Sequence, residues 1–305
     1  MLSTLDLCSG VGGVTLAFSN AGFKTTFACD INPKVKETYD LNFDKPKLVV
    51  DDIFSISPSF YPDFDVLLAG FPCQSFSVSG KRLGFKEEGR GTVFFQLAEI
   101  LRIRKPKAFL FENVKGLVGH DGGHTFQTIQ DVLKSLGYHV HYKVLNSKNF
   151  GVPQNRERIF IVGFQDEVDF KFPENLPTTP DIREILETDV DKEYFITPEH
   201  KHYNAIIEGV TREDTVFQWR RSYIRENKRG VCPTITASLG GVLTLVKTKD
   251  GVRKLTPREL FRAQGFPDSY QLPDASYATL HHQAGNSVTV PVVEAIAREM
   301  MKVLG

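Results

Sequence analysis

The residues best suited to covalent chemistry are the cysteine of GFPCQ, the glutamate near the end of AFLFEN and the two arginines of QNRER. Cys73 becomes a nucleophile as its thiolate, and cations or helix N-termini pull a thiol toward that form; Arg156 and Arg158 are the candidate cations. Gln154, Arg156 and Arg158 lie two apart, so an extended backbone would turn all three to one face and aim both arginines at one site. A second cluster is DLCSGVGG, where Gly10, Gly12 and Gly13 allow a tight turn and close approach of a ligand to the backbone. Thr15 stands where the dinucleotide fingerprint needs another glycine, which favours an adenosine without a pyrophosphate over a nicotinamide cofactor. Asp30 can accept from ribose hydroxyls, and Asp52 can do the same for an adenine amino group.

Taken singly, these features stay ambiguous: the glycines read equally as a structural turn, and a lone cysteine is more often a small buried hydrophobe. The elements that must carry them sharpen the reading. Apolar runs alternate with helical segments (TLDLC then GGVTLAFSNAG, TTFAC then PKVKETYDLNF, DVLLAG then TVFFQLAEILRIR, AFLFEN then HTFQTIQDVLKSLG), which predicts an α/β fold with a doubly wound, mostly parallel sheet. Gly22, Gly137 and Pro33 punctuate the helices as stops and a first-turn proline should. Strands near 139–146 and 158–164 would complete the sheet, with ligands beyond the strand C-termini. That end is where Cys73 falls, followed by the glycine-rich SGKRLGFKEEGRGT, which reads as a flap. After residue 166 the rhythm breaks into acidic, proline-bearing sequence. The expected organisation is a first domain of 1–165 with 252–305 and a smaller irregular domain of 166–251; a closing helix over 290–303 carries an apolar stripe (Val292, Val293, Ile296, Met300, Val303) suited to docking on the first domain.

Bulk composition excludes more than it selects. With 24% charged and 41% hydrophobic residues the chain is ordinary globular protein, and 37 basic residues balance 37 acidic ones, so any affinity for phosphates must come from separated patches. WRRSYIRENKR is such a patch, after an acidic stretch over 166–199. No run of eighteen apolar residues occurs, and the start lacks a signal-peptide pattern; a cytoplasmic location without membrane contact is expected. Cys8, Cys29, Cys73 and Cys232 show no metal or disulfide spacing, so no metal site is expected.

GFPCQ, FENV and QNRER, in this order at strand ends and starts, resemble the C5-cytosine DNA methyltransferase family, and DLCSGVGG fits its cofactor motif. The likeness continues through RKLTPRELFRAQGFPD and AGNSV and covers everything but the family's variable region, 166–251 here. The resemblance implies a Rossmann-like fold using S-adenosylmethionine, with a target-recognition domain at 166–251, and a bacterial or phage-encoded type II modification enzyme acting on a short site in double-stranded DNA, alongside a cognate restriction endonuclease; a monomer is the default expectation. It implies Cys73, Glu112, Arg156 and Arg158 as catalytic, with Arg158 toward the cytosine O2 and Arg156 toward the acid and the catalytic loop. Asp6, Cys8, Ser9, Gly10, Gly12, Gly13, Asp30, Ile31, Asp52, Ile53, Gly70, Pro72, Asn286, Ser287 and Val288 would bind the cofactor. Ser77, Ser79, Lys81, Arg82, Arg90 and Gln154 would meet DNA from the first domain, with Lys86 beside them, and Arg220, Arg221, Arg225 and Thr236 from the second. Asn113 would support the catalytic loop, while Arg253, Thr256, Glu259 and Gln264 tie the second domain in.

The chemistry explains the set. A nucleophile adding at cytosine C6 pushes electron density to C5, an acid near N3 neutralises the developing charge, and the base must leave the duplex stack to be reached. Two departures from the family pattern are Cys8 in place of a phenylalanine and Asp30 in place of a glutamate. RNA enzymes that use a Thr-Cys pair are excluded, since Cys8, Cys29 and Cys232 follow Leu7, Ala28 and Val231. The branch of the family that modifies transfer RNA is the nearest rival.

Overall fold

The computed structural model describes residues 1–71, 93–220, 222–238 and 242–305. The chain divides into two compact units, one of residues 1–145, 157–173 and 293–305, the other of residues 146–156 and 174–292.

The first unit is built on a seven-stranded sheet. Its elements run β1 (Ser3–Leu7), α1 (Gly13–Asn20), β2 (Lys24–Asp30), α2 (Lys36–Asn42), β3 (Val49–Val50), β4 (Val66–Gly70), α3 (Val93–Arg104), β5 (Ala108–Val114), α4 (His124–Ser135) and β6 (His139–Asn146); after the short β7 (Gln154–Asn155) comes β8 (Glu157–Phe164). The order across the sheet is β3-β2-β1-β4-β5-β8-β6. Pairings from β3 to β5 are parallel, and β8 runs antiparallel to β5. The strand order reverses between β1 and β4, the switch point beyond which open α/β sheets take their ligands.

Alternation along the strands decides what lies on each face. Leu5 and Leu7 of β1, Leu67 and Ala69 of β4 and Phe109 and Phe111 of β5 share one core with Phe94 and Leu97 of α3 and Phe126 and Ile129 of α4. Asp6, between the two leucines, points to the opposite face, where α1 packs. Gly12 allows α1 to start there. Its φ is +81°, and a Cβ would come within 2.3 Å of the Phe43 ring, so only glycine fits both the turn and the neighbour. The last helix, α8 (Val290–Leu304), buries Val293, Ile296 and Met300 completely, as its stripe predicts. Within the first unit Asn20, at the end of α1, donates to Glu294 and accepts at its carbonyl from Arg298.

The second unit holds α5 (Tyr203–Gly209), β9 (Val216–Arg220), β10 (Tyr223–Glu226), β11 (Cys232–Pro233), β12 (Val242–Thr248), β13 (Gly251–Lys254), α6 (Pro257–Ala263) and α7 (Tyr277–Asn286). It is more regular than the sequence suggests. A four-stranded sheet in the order β10-β9-β12-β13 forms its centre, and β11 pairs with β7. Three of the strands are only four or five residues long, too short to give a clear period against the acidic, proline-bearing sequence ahead of them. The Thr256 hydroxyl and the Glu259 carboxylate cap α6 reciprocally, with Pro257 in its first turn, a combination that fixes a helix start. Glu259 also pairs with Arg253 at 2.7 Å, with 0% and 1% of the two side chains exposed.

Candidate active site

Glu112 lies at the C-terminal end of β5, in register with Gly70 at the end of β4. On the other side β8 sets Phe160 opposite Glu112 and Arg158 opposite Val114. Residues facing each other across an antiparallel pair share a sheet face, which makes Glu112 and Arg158 diagonal neighbours. The Arg158 Nε meets Glu112 Oε1 at 2.9 Å, with both side chains about six-sevenths buried, 16% and 15% exposed. Oε2 is turned toward Gly70, where a Cβ would stand 3.6 Å from it. One carboxylate oxygen is thus committed to a cation and the other faces the strand end three residues ahead of Cys73. Asn113 braces the same place. Its Nδ2 donates to the carbonyl of Phe71 at 2.9 Å, and its Oδ1 accepts from Val114 N.

The arginines part company. Arg156 N bonds back to the Gln154 carbonyl at 3.1 Å, an i to i+2 bond that makes a γ-turn over Asn155 and ends the two-residue alternation between β7 and β8. The expectation that Gln154, Arg156 and Arg158 share one face therefore fails, and the guanidinium on the acid is that of Arg158. Arg156 is 3% exposed within the second unit and donates to the carbonyls of Ile235, Gly285 and Ser287. Gln154, expected at the DNA, is fully buried. Its amide nitrogen donates to Ala263 O and Gln264 Oε1, and its oxygen accepts from Ile235 N. A side chain so spent braces protein instead of contacting a groove.

At the end of β1 the chain turns through Cys8 (φ +58°), Gly10 (φ +54°) and Gly12. A Cβ on Gly10 would meet none of the described residues within 4 Å, so among them the backbone there is open. Asp30 holds the turn: its Oδ2 accepts from Gly10 N and its Oδ1 from Asn32 N, both at 2.8 Å. Ser9 is buried and braces, its hydroxyl donating to Asp6 O. Ile31 is 66% exposed, whereas Ile53 is 5% exposed and its side chain belongs to the core, so its expected contact with a ligand falls to its backbone. Asp52 Oδ1 accepts from Phe54 N. Burial, with Asp30 and Asp6 nearby, pushes the Cys8 thiol far up, so this cysteine stays a thiol. In the second unit Asn286, exposed, ends α7, and Ser287 and Val288 are buried. Thr236 is exposed, with its hydroxyl on Ser238 O. Pro72, Cys73, Ser77, Ser79, Lys81, Arg82, Lys86, Arg90 and Arg221 lie outside the described residues.

Asp6 has a property its sequence context does not reveal. It sits in β1 between Ala28 of β2 and Leu68 of β4, with Oδ2 accepting from Thr15 Oγ1 at 2.6 Å and Oδ1 without a hydrogen-bond partner among the described residues. Burial raises its carboxyl from 3.8 to about 7, the Thr15 bond opposing and the Asp30 charge assisting. An acid raised by folding stabilises the protein fully below about pH 4 and loses that contribution as pH climbs through about 7, on the order of 4 kcal/mol in all. Asp6→Asn should remove this slope. Urea unfolding of both proteins at pH 4.5 and pH 8 checks it, the wild type losing more stability than the variant; parallel losses would refute it.

The model of the C-5 cytosine-specific DNA methylase family matches residues 2–302. The chain is 46% identical to the type II methyltransferase M.Bsp6I of a Bacillus species, over 99% of each chain. It is 43% identical to M.HaeII of Haemophilus aegyptius over 99% of this chain and 93% of the relative. Among solved structures, a DNMT2 of Spodoptera frugiperda shares the fold with a TM-score of 0.78 at 21% identity, over 99% of this chain and 100% of the other. Family model and relatives alike run nearly from end to end, and on that ground the chain belongs to the C-5 cytosine-specific DNA methylases, enzymes that methylate carbon 5 of cytosine in DNA.

Proposed function

We propose that this enzyme transfers the methyl group of S-adenosylmethionine to C5 of a cytosine swung out of a short duplex site, and that it serves a restriction–modification pair by marking DNA against an endonuclease of the same specificity. The methyl donor supplies an electrophilic carbon on a sulfonium. The Gly10–Gly12 turn, with no described residue against the outer side of Gly10, suits a ligand pressed on backbone, and Asp30 already holds that turn. Asp30 would take the ribose hydroxyls, Asp52 an adenine amino group, and the exposed Ile31 an adenine face; Asn286, Ser287 and Val288 are assigned there by likeness to the family alone. Residues 166–251 are the proposed sequence-reading domain.

In this scheme the Cys73 sulfur bonds to C6 of the pyrimidine, and the electron pair of the C5–C6 double bond moves toward C5. Glu112 holds a proton at N3 on Oε2 while Oε1 stays on Arg158, whose remaining donors face the cytosine O2. C5 would take the methyl group while the donor's sulfur keeps the bonding pair and leaves as a neutral thioether; the C5 proton would then leave to solvent, and the C6–sulfur bond would break to restore the ring. The Glu112–Arg158 pair beside Gly70, three residues ahead of Cys73, supports this reading most directly. Duplex DNA with 5-fluorocytosine at the target should arrest the reaction after methyl transfer, because fluorine cannot depart as a proton does. A peptide map should then place the pyrimidine adduct on Cys73. A map without one, or equal turnover on RNA of the same sequence, would defeat the proposal.

A further inference from the structure

The sheet of the second unit has two unlike faces. On one, Phe217, Trp219, Leu245 and Val252 pack with Ile206 of α5 and Val210. The other face is polar where β9 meets β10. Register sets Gln218 between Arg225 of β10 and Thr244 of β12, and sets Arg220 opposite Tyr223. Side chains across such pairs share a face. Because β9 ends at Arg220 and β10 begins at Tyr223, the Arg220–Tyr223 rung is the last before the ribbon turns.

Neither Arg220 nor Arg225 forms an ion pair among the described residues, and Glu226, the acid of β10, lies on the other face with Arg212 3.9 Å away. Arg225 is exposed, whereas Arg220 is half-buried and held. Its Nη2 donates at 3.2 Å to Oε1 of Gln218, a side chain only 6% exposed. A neutral amide fixes the guanidinium without cancelling its charge, and it uses one of five N–H donors. A guanidinium fixed in this way loses less freedom on binding than an exposed one. A two-stranded ribbon fits the major groove of B-DNA, and the arginine fork matches guanine O6 and N7 there.

We propose that Gln218 and Arg220 form a base-reading pair, Gln218 positioning Arg220 to contact a guanine of the target site through the major groove, with the exposed Arg225 on a phosphate. The pair rests on the reading of residues 166–251 as the sequence-reading domain. Arg220 and Arg225 stand out in the sequence as basic residues of WRRSYIRENKR, whereas Gln218 does not; the alternation in VFQWR is the signal that it shares their face.

The test is methylation of a duplex pool randomised around cytosine, read by bisulfite sequencing, for wild type, Arg220→Lys, Gln218→Ala and Arg225→Ala. Arg220→Lys keeps charge and stem but loses the fork, and should reduce preference at one guanine position about ten- to a hundredfold while sparing the others. Gln218→Ala should weaken the same position in part. Arg225→Ala should lower methylation evenly and flatten its salt dependence. An Arg220→Lys profile that is unchanged, or lowered alike at every position, overturns the pair. Replacing residues 220–225 with a glycine-serine turn tells the two failures apart. Preference that survives this too removes the ribbon from sequence reading, and preference that also survives exchange of residues 166–251 for those of a relative removes the domain, whereas preference lost only in the ribbon variant moves the contact to another residue of the ribbon.

Discussion

Cys73→Ser should bring methyl transfer down on the order of 10⁴-fold or more, to a level set by binding alone. A serine hydroxyl is scarcely ionised near neutral pH and a poor nucleophile without a base to activate it, while a thiol near cations is partly thiolate before the substrate arrives. The substitution removes no contact described for the glycine turn or Asp30, so the affinity for S-adenosylmethionine, measured by calorimetry, should change little. Single-turnover transfer of a labelled methyl group to duplex DNA is the decisive measurement. A rate within tenfold of wild type would mean that no sulfur–carbon bond is needed.

Glu112→Gln should lower the single-turnover rate about 10²- to 10⁴-fold, the range typical of removing a general acid. The amide oxygen can keep the contact with Arg158, but nothing at the second position can give up a proton as a carboxylic acid does. If the glutamate only anchored Arg158, the loss would appear as a lower melting temperature with the rate of the folded fraction kept. The prediction is the reverse, a normal melting temperature with slow chemistry. Arg158→Lys probes the partner: it keeps the charge but loses the guanidinium geometry that fixes Oε1.

How far the sequence discloses this site depends on how local each determinant is. The parallel strands up to β5 are legible because each apolar run is followed by its own helix, and Glu112 falls at a strand end because AFLFEN runs out there. The glycine turn is legible for the same reason. Gln154 and Arg156 are misread because their partners lie far along the chain: Gln154 bonds residues more than a hundred positions away, and no local pattern signals that. The γ-turn at Asn155 carries no glycine or proline to announce it, so an extended run was the natural expectation. The second unit's sheet was hidden by short strands in which arginines alternate with aromatics. Thr15 reads in the sequence only as a missing glycine, yet its hydroxyl donates to the Asp6 carboxylate.

The Asn113 amide spends both its ends on backbone, the nitrogen on the carbonyl of Phe71 and the oxygen on the amide of Val114. Pro72 follows with no N–H of its own, and the Phe71 carbonyl is a grip on the chain two residues before the thiol. Hydrolysis of that amide to a carboxylate, the ordinary ageing of asparagine, would set two oxygens against each other with no hydrogen between them. The enzyme could then grow old through a residue that never touches its substrate, every group of the reaction still intact.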